Sequence, residues 1–243
     1  MKATEFEFRN RWWFIAGIYN FSFFLYAFRD RNSVASVLHW IARRYGNQWA
    51  SDTAFHWAFA IGAALTILNA LLRSWASAYL GGIVVHQPGM QTDRLVADGP
   101  YRYLRNPLYL GNILLAIGFA FVASRAGAVV LIVGNVLFLL RLIGREEAGL
   151  LATQGDSYRE YVNRVPRLLP ALTPRVPRGQ MPARWLQGIV TECMMWGFAS
   201  ASTVFAITLR VRDFYFLLGA GILGSVIVNY TAGRKSGAAS ADT

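Results

Sequence analysis

The sequence predicts an all-α protein, a polytopic transmembrane helical bundle of about five to six spans, and three observations predict it. Hydrophobic residues make up 55% of the 243 residues and charged residues only 15%, against about 25% charged in ordinary soluble domains. The charges are unevenly spread, with long stretches that hold none and arginine-dense segments between them. No run alternates apolar and polar residues in the way a membrane barrel requires.

A helix that spans the hydrocarbon core needs about 20 apolar residues. Segments 12–28, 54–72, 108–123, 126–143, 185–209 and 214–231 approach that length. The first follows Lys2, Arg9 and Arg11, like the apolar region of a signal peptide. Arg29, Asp30 and Arg31 come next instead of a small-residue cleavage site, so a retained first span is expected. Only Ser124 and Arg125 separate the third and fourth segments, which therefore form an antiparallel hairpin. Segment 33–45 mixes Val34, Val37, Leu38, Trp40 and Ile41 with Arg43 and Arg44, the pattern of a helix lying at the headgroups. Segment 74–85 is apolar but carries Gly81 and Gly82, and either prolongs the second helix or forms a re-entrant piece.

The expected organisation is N-terminal membrane helices over 1–85, a core of loop, hairpin and polar segment over 86–170, a linker over 171–184, C-terminal membrane helices over 185–232 and a disordered tail over 233–243. With the N-terminus inside, most of the 24 Lys and Arg fall on one side, Arg73, Arg105, Arg141, Arg145 and Arg167 among them. That side should be cytoplasmic. The cluster from Arg29 to Arg44 opposes this assignment locally.

The net charge is +11. Cytoplasmic loops and anionic headgroups account for it, and without a compact basic module no nucleic-acid partner is expected. A single cysteine, Cys193, excludes an intrachain disulfide and a cysteine-based zinc site. His39, His56 and His86 are too dispersed for a paired metal site, so no metal is expected.

Two segments concentrate chemistry. Gly99-Pro100-Tyr101-Arg102-Tyr103-Leu104-Arg105-Asn106-Pro107-Leu108-Tyr109-Leu110-Gly111 sets aromatic, cationic and amide groups at the start of a membrane helix. Pro107 suits a first helical turn and Asn106 an N-cap. The free N–H groups of such a start suit a carboxylate or phosphate, although the same residues could simply be an interfacial anchor. Arg145-Glu146-Glu147 places paired carboxylates at a membrane helix end, with Asn135 on the stripe of Glu146. Solvated acids balancing nearby arginines are the plainer alternative. Glu192 lies inside the fifth apolar segment, where it meets a substrate headgroup, pairs with an arginine or sits near the cytoplasmic interface. Gly219-x-Gly221-x-x-Gly224 matches a dinucleotide fingerprint as a string, yet no strand precedes it, and helix packing through small residues explains it.

Taken with Gly155-Asp156-Ser157-Tyr158-Arg159-Glu160-Tyr161 and Arg164-Val165-Pro166-Arg167-Leu168-Leu169-Pro170, these motifs resemble the isoprenylcysteine carboxyl methyltransferase and phospholipid methyltransferase superfamily over residues 99–170. The resemblance implies an integral membrane methyltransferase that uses S-adenosyl-L-methionine, without a Rossmann domain, on a lipid or lipid-modified acceptor. It implies a catalytic set of Glu146, Glu147 and Arg105. Tyr101, Tyr103, Arg105, Asn106, Pro107, Tyr109, Gly111, Glu146, Glu147, Tyr158 and Tyr161 are then the cofactor-binding set. Arg164 joins the two tyrosines in closing the site. Members that act on prenylcysteine typically carry His where Asn106 stands, which leaves prenylcysteine carboxylate, phospholipid amine and isoprenoid all open as acceptors. An NADPH-dependent membrane reductase related to sterol reductases, and a non-catalytic membrane adaptor, are the competing expectations.

Overall fold

The computed structural model describes residues 2–28, 30–80 and 97–239, with residue 48 and the stretch 232–239 described by backbone alone. Nine α-helices run through the described residues. They are α1 (Glu5–Arg9), α2 (Arg11–Phe24), α3 (Ser33–Tyr45), α4 (Asp52–Leu80), α5 (Pro107–Ala120), α6 (Arg125–Arg164), α7 (Trp185–Thr191), α8 (Cys193–Thr208) and α9 (Val211–Ala239). Among the described residues there is no strand, only an isolated bridge between Asn32 and Ser124. The protein is an all-α membrane protein.

Among the described residues three helices are long and apolar enough to cross a membrane: α4, α6 and the stretch Val211–Thr231 of α9. The pair α7 and α8, bent by 66°, adds a fourth if it counts as one broken span. Helix α5, 14 residues long, rises about 21 Å at ~1.5 Å per residue, short of the ~30 Å hydrocarbon core. The first expected span becomes α2 and a 3₁₀ turn over Leu25–Phe28. The amphipathic segment 33–45 is helical over that whole range.

Helix α4 is the axis of the bundle. Its buried face carries Gly62, Ala63, Thr66, Asn69, Ala70, Ser74, Ser77 and Ala78. Small residues at this spacing let backbones approach closely, which is how helices associate in lipid. Helix α5 packs along one side of α4, and α7 and α8 along another. Phe59, Phe119, Phe205 and Phe214 fill the shared core, and Phe59 meets Phe205 edge to face with 4.8 Å between ring centroids.

The expected second span ended before Arg73, and Arg73 was counted with the loop arginines. That is corrected here. Helix α4 runs on to Leu80, and Arg73 is 2% exposed. A charge can continue an apolar helix when a partner meets it inside, and Glu192 does so. Residues 81–85, with Gly81 and Gly82, lie outside the described residues.

The hairpin forms as expected. Helices α5 and α6 join through residues 121–124, and the Ser124 hydroxyl caps α6 by accepting from the Gly127 amide at 3.1 Å. Helix α6 is 40 residues long and turns at Gly155, where φ is 54° and ψ is −126°. A side chain is disfavoured at that φ, so a glycine sits at the turn. The turn sends Tyr158 and Tyr161 back toward the loop before α5. Helix α9 continues to Ala239, into the segment expected as a disordered tail, and residues 240–243 lie outside the described residues. Within α9, Gly221 packs on the Gly197 backbone, where a Cβ would come within 2.7 Å of its Cα. Close helix packing therefore accounts for Gly221, whereas a Cβ at Gly219 or Gly224 would meet nothing within 4 Å.

Candidate functional site at the open end of the hairpin

The site is built from the start of α5, the polar half of α6 and the segment that follows it. A 3₁₀ turn over Gly99–Arg102 leads to Asn106, and Pro107 opens α5. Asn106 occupies the N-cap position, but its side chain makes no capping bond. The side-chain cap expected from sequence is corrected: two acceptors hold the side chain by its amide nitrogen, and its oxygen accepts from no helix N–H group. The Asn106 amide donates to Glu147 Oε1 at 3.1 Å and to the Arg167 carbonyl at 3.0 Å.

Glu147 is the hub. Arg105 approaches its Oε1 at 3.2 Å and Arg167 its Oε2 at 2.8 Å. The carboxylate side chain is 15% exposed, with Arg105 at 13% and Arg167 at 41%. Backbone pairing fixes the segment that brings Arg167. The Arg105 amide donates to the Pro166 carbonyl at 2.9 Å, the Ala171 amide to the Tyr103 carbonyl at 3.0 Å, and the Arg175 amide to the Arg102 carbonyl at 2.8 Å. Arg102 Nε adds a bond to the Val176 carbonyl at 3.0 Å. Residues 165–176 are thus laid along residues 102–106.

The two tyrosines after the Gly155 turn lock the same loop. The Tyr161 hydroxyl donates to the Tyr101 carbonyl at 2.7 Å. Tyr158, Tyr161 and Val165 form a small apolar cluster with Ala97, Leu150, Val162 and Val176 packed against it. Arg105 hydrogen-bonds the Tyr158 hydroxyl, and burial with the nearby Glu147 charge pushes that hydroxyl up to about 12. Burial and the Glu146 charge likewise raise the Tyr101 hydroxyl.

Glu146 turns to a different partner. The Tyr109 hydroxyl donates to its carboxylate. Glu146 lies beyond the apolar stretch of α6, which ends near Ile143. Loss of solvent pushes its carboxyl above the ordinary range. The Tyr109 bond and the Arg11 charge hold it down, and the Glu147 charge adds to the rise.

Of the residues expected from sequence, Arg105, Asn106 and Glu147 meet directly, Tyr109 meets Glu146, and Tyr158 and Tyr161 close over Arg105 and Tyr101. Tyr103 stands against Trp75, with 6.0 Å between ring centroids. Gly111 is not at this cluster but against α4. A Cβ there would lie 2.6 Å from Arg73 Cγ and 2.9 Å from Asn69 Oδ1. Arg164 points away and pairs with Glu160 on the exposed side at 2.7 Å. Asn135 is fully buried, and its amide returns to the Leu131 carbonyl at 2.8 Å.

Three arginines of these buried networks are not among the site residues expected from the sequence. Arg167 lay inside the quoted closing motif, where a cation near paired acids was the available signal. Arg11 was taken as a flanking charge. Arg73 was taken as a helix boundary, yet it is the centre of a second buried network. Arg73 Nε donates to Glu192 Oε2 at 2.7 Å and Arg73 Nη2 to Oε1 at 3.1 Å, a bidentate pair that the Ser77 hydroxyl joins at 2.7 Å. The remaining Arg73 nitrogen reaches the Leu108 carbonyl at 3.3 Å and Asn112 Oδ1 at 3.1 Å. Glu192 thus pairs with an arginine, one of the expectations for it.

The Glu147 cluster also holds unsatisfied donors. Arg105 Nε and Arg167 Nε are buried and bond to nothing. Buried donors of charged groups normally find acceptors, so this pair fits an anionic ligand such as a carboxylate. Among the described residues no group of three or more His, Cys, Asp or Glu is placed to hold a metal ion.

Comparison with known proteins agrees with this architecture. Residues 57–154 match the family model described as phospholipid methyltransferase. The chain is 26% identical over 185 residues to the cobalt-zinc-cadmium resistance protein CzcN of Cupriavidus metallidurans, covering 76% of this chain and 77% of that protein. It is 33% identical over 115 residues to the protein-S-isoprenylcysteine O-methyltransferase of Schizosaccharomyces pombe. That match covers 43% of this chain and 46% of the yeast protein, so it spans about half of that relative's length. No solved structure matches the chain. The family match runs from within α4 through both acids of the hairpin, so this part of the chain is similar to the phospholipid methyltransferase family and to an isoprenylcysteine methyltransferase.

Proposed function

We propose that the protein is an integral membrane methyltransferase that takes its methyl group from S-adenosyl-L-methionine and delivers it to a lipid-associated acceptor. The observation that carries this reading is the meeting of Asn106, Arg105 and Arg167 on Glu147 at the open end of the hairpin, with two buried guanidinium N–H groups left over. The likeness to the phospholipid methyltransferase family supports it, as does the likeness to a protein-S-isoprenylcysteine O-methyltransferase, whose acceptor is lipidated.

Arg105, Asn106, Arg167 and the N–H groups of the α5 start would hold the cofactor's carboxylate. Glu147 aligns the two arginines. Tyr101, Tyr103 and Tyr109 would line the nucleoside or methionine portion, and Tyr158 and Tyr161 would cover it. When bound, the sulfonium supplies an electrophilic methyl group. The protein then orients the acceptor and excludes water. A carboxylate acceptor needs no base, whereas an ammonium acceptor must lose a proton. Glu146 is placed to receive it, and the Tyr109 hydroxyl holds that carboxylate in position. The lipid would enter sideways between helices from the leaflet at this end, and the excess of arginine on this side supports a cytoplasmic orientation.

Calorimetric titration of S-adenosyl-L-methionine into the purified protein tests the cofactor. Saturable binding that weakens at least tenfold in Asn106→Ala and Glu147→Gln is expected, and unchanged binding in both variants would remove these residues from the site. Labelled cofactor and total lipid, followed by mass spectrometry of the labelled product, identifies the acceptor. Labelling from NADPH instead would mark a reductase.

A further inference from the structure

At the other end of the hairpin, about 20 Å from the α5 start at ~1.5 Å per residue, the fold leaves a basic cleft that opens into an apolar groove. The cleft, about 900 Å³, lies between α3 and the start of α6, with Arg31, Arg43, Arg125, His39 and Trp40 in its walls. The groove, about 350 Å³, runs between α3, α4, α5 and α6 and is lined by Leu38, Ala58, Ile117, Phe121 and Ile132. Ser33 and Val37 line both, so the two adjoin. A cleft edged by guanidinium groups next to an apolar groove matches a molecule with an anionic head and an acyl chain.

The charge balance favours an anion. Arg125 is engaged, because its Nε meets Asp30 Oδ1 at 3.0 Å while the Ala126 amide donates to Oδ2 at 2.7 Å. Arg31 and Arg43 are exposed and have no acidic partner among the described residues. No acid lines the cleft. The hydroxyls and the ring nitrogen there are spent internally: Ser33 donates to the Ala120 carbonyl at 2.6 Å, Ser36 to the Asn32 carbonyl at 2.8 Å, and His39 Nδ1 lies 2.6 Å from the Ala35 carbonyl. The two guanidinium groups of Arg31 and Arg43 are the charged recognition elements, with the Trp40 indole N–H and His39 Nε2 beside them. Val37 and Trp40 are 56% and 60% exposed beside them, as expected of a helix lying in the headgroup layer.

We propose that this cleft and groove form a binding site for one anionic phospholipid, with the phosphate between Arg31 and Arg43 and an acyl chain in the groove toward Ile117 and Ile132. The site stands apart from the Glu147 cluster and does not depend on the reaction performed there. Its occupant would pin α3 to the turn of the hairpin from outside.

Native mass spectrometry of the delipidated full chain in detergent tests it with dioleoyl phosphatidylglycerol as probe. Dioleoyl phosphatidylcholine, dioleoylglycerol and glycerol 3-phosphate are the comparators. The protein should retain one phosphatidylglycerol in strong preference to the neutral lipids. The double variant Arg31→Gln/Arg43→Gln should weaken retention about thirtyfold. Val37→Asp, which sets a like charge where groove meets cleft at an exposed position, should do the same without touching an arginine. Arg175→Gln/Arg178→Gln, at the opposite end, should retain the lipid as wild type does. The proposal is overturned if phosphatidylglycerol is held no better than phosphatidylcholine. Wild-type retention in both cleft variants, an equal loss in the Arg175/Arg178 variant, or complete displacement by glycerol 3-phosphate would overturn it as well.

Discussion

Glu192 and Glu147 are both carboxylates held by arginine, and both networks reach the first turn of α5. Arg73 carries the Glu192 network to the Leu108 carbonyl and Asn112, and Asn106 ties α5 to Glu147. They differ in completeness. The Arg73–Glu192 pair is 2% and 1% exposed, is bidentate and is joined by Ser77. Around Glu147 the arginines are 13% and 41% exposed and keep buried Nε donors without acceptors. One network is closed on itself and the other has unused capacity. A closed ion pair in a low-dielectric interior holds helices in register, and one with spare donors is suited to a ligand.

That contrast is broken most forcefully at Glu192. Glu192→Gln or Arg73→Met leaves its partner's charge buried and unpaired, which costs about 3–5 kcal/mol. For a chain of this size that corresponds to a fall of roughly 10 °C in the unfolding midpoint. The double variant Arg73→Met/Glu192→Leu should recover most of the loss, because replacing a buried pair with apolar groups is often neutral. Thermal unfolding in detergent, read as a double-mutant cycle, checks both. If each single variant melts like wild type, the pair does not hold α7 and α8 to α4.

Glu147 should separate binding from stability. Glu147→Gln keeps the acceptor for Asn106 but removes the charge that aligns Arg105 and Arg167. The expected loss is at least tenfold in S-adenosyl-L-methionine affinity, from charge-assisted bonds of about 1.5–3 kcal/mol. The unfolding midpoint should move by no more than a few degrees. A fall as large as that of Glu192→Gln, with affinity kept, would make the two networks equivalent and remove the functional reading of the first.

The difference between the two networks was only half legible in the sequence. Asn106 and Glu147 are 41 positions apart, and their meeting was expected from the hairpin that the short turn at Ser124 and Arg125 dictates. The resemblance over residues 99–170 placed the paired acids at the same end. Arg73 and Glu192 are 119 positions apart, and nothing local shows which charge in one apolar helix faces which charge in another. Arg73 looked like a boundary because hydropathy stops at any arginine, whereas burial depends on a partner that only packing reveals. The same limit applied to Asn106. Its position at the helix start was legible, but its side chain chose a carboxylate over the helix amides. Gly111 belonged to the family pattern, yet here the lack of a side chain serves the approach of Arg73 and Asn69.

A weaker test of the closing segment lies at Tyr161. Tyr161→Phe removes the donor to the Tyr101 carbonyl and leaves that acceptor buried, which costs about 1–3 kcal/mol. A loss of a few degrees in the midpoint is expected, with faster hydrogen exchange in residues 99–105. Protection in that loop equal to wild type would show that the segment after Gly155 does not hold it.

The smallest effect is expected at Glu7, more open to solvent than Glu147 or Glu192, and it should be visible only through pH. Glu7 accepts from Arg141 Nη2 at 2.6 and 2.8 Å and from the Thr4 amide at 2.7 Å. The backbone bond from Thr4, then the bond from Arg141, holds its carboxyl below the ordinary value of 4.5. A carboxyl lowered in the folded state stabilises above its unfolded value, and that contribution is lost as pH falls through the folded one. Glu7→Gln should therefore melt slightly below wild type at pH 7. The gap should close progressively below pH 4.5, as the wild-type carboxyl takes up the proton that makes it resemble the amide. A gap that is constant over this range would assign the role of Glu7 to shape and not to charge. The ordering Glu192, Glu147, Glu7 would then no longer follow how completely each carboxylate has been withdrawn from water.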